Sequence, residues 1–464
     1  MSAPLIWIGI PFLAAVLLIF LLRFRRLTPA LGTLIALLLA FAAWKLPINQ
    51  VIIVGNLSFK ITDTFELFGR RFVVDKTTLF TLEWIYLIIA FWFGGSYTAS
   101  AGPPFVPIGL GIMAIMTAAL TVDPFLYAAL LIELAALMSV PLLLAPGHPA
   151  GRGVMRFLTF QTVGTPFILF SGWMLEGVQA APADLTGVLR SSLFLGMGFA
   201  FLLAVFPFHS WIPMLAEEAQ PYAAAFVFTM LPGIISFLGI NFLARFVWLR
   251  ESSVVYLLLQ GAGALMIATG GLWAAFQRHL GRMLGYGVMV EIGLSILAVG
   301  LFGQSQFSIQ TGGLLDLNAF ALRIFFALFI TRGLGMGLWA LALSSILSKA
   351  GSLSFRAVQG IGRSLPLSTA ALVLAQFSTA GFPLLAGFPV RLALIQEIAA
   401  ASPITAFWVI FGSLGLLIGG FRSLAVLILG PEENPWKIEE NRLAFLLLGI
   451  GIIFLFVLGL SPRI

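Results

Sequence analysis

Leu130-Leu-Ile-Glu-Leu-Ala-Ala-Leu-Met-Ser-Val-Pro141 carries one ionisable side chain, Glu133, in the middle of an apolar run from about residue 124 to 145. A helix of that length crosses a ~30 Å hydrocarbon layer. A carboxyl group at its centre costs roughly 2.5–3.5 kcal/mol on insertion scales, so acids in such positions face a bundle interior and handle ions or pair with a cation. Glu133 is therefore the leading candidate for ion handling. The competing structural reading is a static buried ion pair, with Arg156 one helix further on as partner.

Comparable runs lie on both sides of this one, near 5–22, 30–54, 78–97, 105–121, 155–176 and 189–208, and after a break near 222–246, 255–276, 283–302, 319–348, 366–398, 404–430 and 443–460. They predict an all-α polytopic membrane protein of about fourteen transmembrane helices, with residues 1–464 forming one transmembrane domain. Composition agrees: 60% of the 464 residues are hydrophobic and 9% charged, against about 25% charged in an average soluble domain. The first run has no basic residue before it and ends in Arg23-Phe-Arg-Arg26. That is the reverse of a signal peptide's charge order, so the expectation is a retained helix.

Helix parity puts Arg23/Arg25/Arg26, Arg152/Arg156, Arg278/Arg282 and Lys349/Arg356/Arg363 on one side of the bilayer. The positive-inside rule makes that side cytoplasmic and both termini external. The net charge of +7 is dispersed over short loops without an aromatic-basic groove pattern, which excludes nucleic acid as the partner and leaves the lipid bilayer. The longest polar connection, Gly55 to Lys76, reads as a small external β-hairpin or loop.

With no cysteine in the chain, disulfides, thiolate metal sites and iron–sulfur ligation are excluded. The three histidines, His148, His209 and His279, are scattered rather than at metal-ligand spacing, so no metal site or cofactor is expected and redox chemistry must sit in another chain. Gly333-Leu-Gly-Met-Gly337 looks like a nucleotide loop but lies in an apolar run with no preceding strand. Close helix packing is the better reading.

Pro207, Pro213 and Pro221 interrupt the middle of the chain, and Pro383 and Pro389 interrupt the twelfth span. An interior proline costs a helix roughly 3 kcal/mol. Paired broken spans suggest duplicated halves, about 105–246 and 255–430, with an ion pathway at the breaks; two ordinary kinks are the plainer alternative. Further charges lie within spans: Glu291 in Met289-Val-Glu-Ile-Gly293, Arg323 and Arg332 in the eleventh, and Arg391 just after Pro389. Arginine keeps its proton, so these three can tune a neighbour but cannot relay protons. His209 and His279, near helix ends, are relay candidates or simply solvated histidines.

Three ordered motifs carry a resemblance. Phe206-Pro-Phe-His-Ser-Trp-Ile-Pro213 with Ala216-Glu-Glu-Ala-Gln-Pro221 resembles the pattern PFHxWLPxAxxxAPxP. Gln277-Arg-His-Leu-Gly-Arg-Met-Leu-Gly-Tyr286, running on to Glu291-Ile-Gly293, resembles QxDLKRLLAYSSISHMG, and Ser378 to Arg391 resembles LAGLPPLAGFLGK. They are similar to the antiporter-like membrane subunits of respiratory complex I, shared with membrane-bound hydrogenases and multisubunit cation/proton antiporters. The resemblance implies two inverted five-helix repeats with broken helices 7 and 12, and a line of charges at mid-depth. It also implies other membrane-arm subunits as partners, protons or monovalent cations as cargo, and a prokaryotic inner (cytoplasmic) membrane as location.

Carried over residue by residue, Glu133 fits the fifth-helix glutamate and Arg156 takes the place of a basic residue on the sixth helix. The lysines of the seventh, eighth and twelfth helices fall at Leu202, Pro232 and Arg391. Two functional expectations follow. One is an ion-translocating subunit of a complex I-type NADH:quinone oxidoreductase or related redox-driven ion pump, with Glu133, Glu291, His279 and bound water as candidates to replace the lysine route and no catalytic centre in this chain. The other is a degenerate, non-conducting paralogue with a structural or coupling role.

Overall fold

The computed structural model describes residues 2–54, 57–144, 150–180, 185–246, 249, 252–301, 314–430 and 437–461. Among these, apolar runs have become helices, the one conformation that satisfies every backbone amide within a single lipid-embedded segment. The first nine helices are α1 (Ile10–Phe20, continuing a π-helical turn at Leu5–Gly9), α2 (Leu27–Lys45), α3 (Lys76–Gly95), α4 (Phe105–Thr121), α5 (Ala128–Leu143), α6 (Arg152–Ala180), α7 (Leu185–Leu202), α8 (Trp211–Glu218) and α9 (Pro221–Arg245). Seven more follow: α10 (Ser253–Phe276), α11 (Leu280–Leu301), α12 (Leu314–Ala350), α13 (Pro366–Ala380), α14 (Gly387–Ala401), α15 (Pro403–Ile428) and α16 (Arg442–Leu460). Eight of them are long and apolar enough to cross a membrane: α2, α3, α9, α10, α11, α12, α15 and α16. His148 and residue 302, the end of one expected span, lie outside the described residues.

The expected helix at 30–54 is corrected. α2 stops at Lys45 because Leu46 precedes Pro47 and is driven out of the α region, to φ −74°, ψ 117°. The β-branched run that follows forms β1 (Val51–Val54), antiparallel to β2 (Leu57–Lys60) with Val51 opposite Lys60. A second ladder joins β3 (Thr64–Leu67), β4 (Arg70–Val73) and β5 (Val122–Asp123). Phe68 and Gly69, both at positive φ, make the β3–β4 turn, the backbone twist a two-residue hairpin prefers.

Pro207 and Pro383 lie where the helical path is interrupted, as expected, but Pro213, Pro221 and Pro389 act differently. Pro213 and Pro389 are third residues of α8 and α14, and Pro221 is the first of α9. In a first turn the N–H has no intrahelical acceptor, so these prolines start helices rather than break them. Prolines inside helices are Pro141, Pro166 and Pro232. The helical path is interrupted at 203–207, ahead of the 3-10 turn Phe208–Ser210 and α8, and again at 381–386.

The chain divides into two compact units, one of residues 1–144 and 158–199, the other of 145–157 and 200–464. In the first, α4 packs on α1 and α5 and is buried along most of its length. The Trp7 indole N–H donates to the Leu39 carbonyl at 3.2 Å, and the Tyr86 hydroxyl donates to the Trp7 carbonyl at 3.1 Å. In the second unit α9, α11 and the stretch Leu322–Ala350 of α12 are largely buried, whereas α15 and α16 leave apolar faces exposed. Helices apolar on all sides form the bundle's interior, and the exposed ones suit lipid.

Glycine lets two helices approach closely. A Cβ on Gly271 of α10 would collide with the Gly412 backbone of α15, and one on Gly412 with the Ile267 carbonyl. This is small-residue packing, which brings backbones together where lipid removes the hydrophobic drive. Gly412→Val is expected to wedge the helices apart at a cost of about 1–3 kcal/mol, seen as a lower melting midpoint in detergent. Gly449→Val on α16, where nothing lies within 4 Å of an added Cβ, should leave it unchanged.

Candidate ion-handling site

Three charges that the sequence scatters over about a hundred residues meet in the second unit. Arg391 of α14 donates from Nη2 to Glu291 Oε1 of α11 at 2.8 Å, with the two side chains 3% and 7% exposed. Arg391 Nη1 donates to Ser413 Oγ of α15 at 3.4 Å. Arg332 of α12 donates from Nη1 to Ser295 Oγ at 3.2 Å, and the Ser295 hydroxyl donates to the Glu291 backbone carbonyl at 3.1 Å. Arg332 is also within electrostatic reach of the Glu291 carboxylate, so one buried carboxylate answers two buried guanidiniums.

Local structure dictates this convergence. α13 ends on Gly381 at φ +79°, a left-handed cap that glycine adopts without strain. A Cβ there would strike Arg391 Cδ at 2.6 Å, so the arginine stem lies across the bare backbone of the break. Ser378 Oγ accepts from Gly387 N–H at 3.1 Å and ties the two half-helices together. On α9, Gly233 gives the Arg332 guanidinium room, since an added Cβ would lie 2.7 Å from Nη2. Nε and Nη2 of Arg332 find no hydrogen-bond partner among the described residues.

The remaining sequence candidates lie elsewhere. Glu133 sits on α5 in the first unit, half-buried, and within that unit makes no ion pair among the described residues. Arg156 is exposed and donates to Ser210 Oγ at 3.5 Å and Met214 Sδ at 3.2 Å. His209 is half-buried against the Phe206 ring, 5.3 Å between centroids, with Nδ1 unpartnered. Arg323 is exposed. Nine residues from Arg332 is two and a half helical turns, so the two arginines face opposite ways. Leu202 and Pro232, at the lysine positions, are both buried. Glu83, the eighth residue of α3, is a half-buried acid that the reading of the spans overlooks; its signal, a lone carboxyl in an apolar run, was the one that exposed Glu133.

The motif segments serve as fasteners. Glu218, at the end of α8, accepts the Gly153 N–H at 2.7 Å and so caps the start of α6, an anion at a helix N-terminus. Glu217 pairs with Arg282 at 2.6 Å. The Gln220 side chain accepts from Ala223 N–H at 2.6 Å and donates to Ser344 Oγ at 3.2 Å. His279 lies in the connection between α10 and α11, apart from the buried cluster. Burial lowers its pKa below the ordinary 6.5, Glu217 partly opposes that and Arg282 adds to it. A folded-state pKa below the unfolded one gives stability that is present above pH 6.5 and lost as the pH falls through the lower value. His279→Gln is expected to flatten that acid-side loss in melting curves taken between pH 5 and 7.

Buried helices, interrupted paths and a mid-helix ion cluster define a polytopic helical membrane protein with a charge-bearing interior. The described transmembrane region of NADH:quinone oxidoreductase/Mrp antiporter proteins matches residues 174–419, over half of the chain. The chain belongs to that family. It is similar to NADH-quinone oxidoreductase subunit N of Polaromonas naphthalenivorans, with 26% identity over 435 residues, 86% of this chain and 84% of the relative. In fold it is similar to a chain of the Mrp complex from a Dietzia species, at TM-score 0.79 and 17% identity over 99% of this chain and 94% of the other. The same holds for a chain of respiratory complex I from Thermus thermophilus, at TM-score 0.73 and 19% identity over 98% and 96%.

Proposed function

We propose that the chain is the antiporter-like membrane subunit of a complex I-type NADH:quinone oxidoreductase or related redox-driven pump, and that it contributes to translocation of protons or monovalent cations. Electron transfer takes place in partner chains of the membrane complex, and this chain supplies no catalytic centre. The observation that carries the reading is the Glu291–Arg391 pair, buried at 7% and 3% exposure beside the break between α13 and α14. Charge is kept at such depth only where it is paired or used. Arginine holds its proton, so a proton handled by this cluster rides on Glu291, while Arg391 and Arg332 set its field.

Glu133 serves as the corresponding acid of the first unit, with Arg156, His209 and His279 as secondary candidates. The basic connections lie in the cytoplasm and both termini outside, in a prokaryotic inner membrane. The non-conducting reading draws support from Leu202 and Pro232, which leave no protonatable side chain at two of the three lysine positions. The two readings separate on Glu133→Gln in the intact complex reconstituted in proteoliposomes. Translocation predicts a fall in ion flux of roughly tenfold or more with assembly retained, the scale of losing one positioned proton carrier. Unchanged flux in this variant and in Glu291→Gln would leave only the structural role.

A further inference from the structure

A cavity of about 210 Å³ opens beside the ion cluster. Its walls are largely apolar, from Phe382, Leu392, Ile410 and Leu414 among others, and its polar groups include Arg391 and Ser413. Those four apolar residues are 39–52% exposed, which puts the mouth on the protein's lateral, apolar surface. The guanidinium has five N–H donors, of which one goes to Glu291 and one to Ser413. Arg391 is 3% exposed and lines the cavity, and no other hydrogen bond of its guanidinium is made among the described residues. Among the described residues, Arg391 and Arg332 against Glu291 also leave one buried positive charge in excess. Such a charge is costly unless an anion answers it.

We infer that this cavity is a binding site for a long-chain carboxylate from the lipid phase, its head on Arg391 and its chain between α14 and α15. Apolar walls select an aliphatic stem, and the excess positive charge selects an anionic head over a neutral one. Depth selects against a phospholipid headgroup. Glu291 is the twelfth residue of a 22-residue helix, and phosphates lie about 15 Å away at the edge of the ~30 Å core. The volume is below the 300–1,000 Å³ range of drug-sized sites, which fits the carboxyl end of a chain whose remainder stays in the bilayer. A fatty acid held here adds a second carboxylate to the cluster and so links lipid composition to the field at Glu291.

The test uses the intact complex and a palmitic acid probe carrying a mid-chain diazirine. Photolysis is expected to label peptides spanning 382–395 and 410–417, with oleate competing roughly tenfold better than methyl oleate, the margin of one charge-assisted contact. Leu414→Trp, which fills the mouth without touching the ion pair, should abolish labelling at unchanged yield of complex. Equal competition by methyl oleate overturns the proposal, as does competition by a short-chain quinone but not by oleate. Absence of label in the intact complex, where a neighbouring chain would then cover the mouth, or labelling that survives Leu414→Trp overturns it as well.

Discussion

Replacing Arg391 by leucine is expected to cost about 3–5 kcal/mol, the penalty for leaving a buried carboxylate without its partner. That is a large share of the margin of an ordinary fold, so the variant chain should reach the membrane complex at a small fraction of wild-type yield. The loss comes from Glu291 losing its one direct 2.8 Å partner, Arg332 being held on Ser295 instead, rather than from the pair itself being strongly stabilising. The double variant Arg391→Leu/Glu291→Leu should therefore recover much of the yield, because well-packed apolar replacements of a buried pair are often neutral. Arg332 limits the recovery, since its own countercharge is Glu291. Quantitative immunodetection of assembled complex for the two single variants and the double variant checks this non-additivity.

The second large effect falls on function. Glu291→Gln keeps the shape and one acceptor oxygen for Arg391, so a fraction of the complex should assemble, at reduced yield and thermal stability because both guanidiniums lose their countercharge. What it removes is the carboxylate of the cluster, and the two arginines cannot take over proton exchange because they hold their protons. A fall in translocation of roughly tenfold or more is expected, with electron transfer in the partner chains continuing. Glu291→Asp retains the carboxyl but retracts it from the 2.8 Å contact with Arg391, and should fall between wild type and glutamine. A purely structural Glu291 would instead rank the variants by stability alone.

Much of the fold is legible in the sequence because lipid imposes a coarse rule: an apolar run of sufficient length must be a helix. The rule fails where backbone chemistry intervenes. Pro47 stops α2 and releases Val51–Val54 to a strand, and Pro213, Pro221 and Pro389 open helices because first-turn positions need no amide donor. At the site, a lone acid in an apolar run exposed Glu133 and Glu291. The partnership of Glu291 with Arg391, 100 residues away, was not legible, since periodicity does not say which helices face each other. Helical phase could have separated Arg323 from Arg332. The supporting residues Ser295, Gly233 and Gly381 carry no charge and gave no signal. Aligned on Leu284-Gly-Tyr286, the QxDLKRLLAYSSISHMG pattern has a histidine where this chain has Glu291. A titratable group thus persists on α11 although the lysine positions hold Leu202, Pro232 and Arg391.

Ions moved per electron, recorded in proteoliposomes containing the complex with wild-type or Glu291→Gln chain, bear most directly on this role for Glu291. The buried cluster as the working element predicts a lower ratio in the variant with electron transfer sustained; an unchanged ratio in a fully assembled Glu291→Gln complex would contradict it.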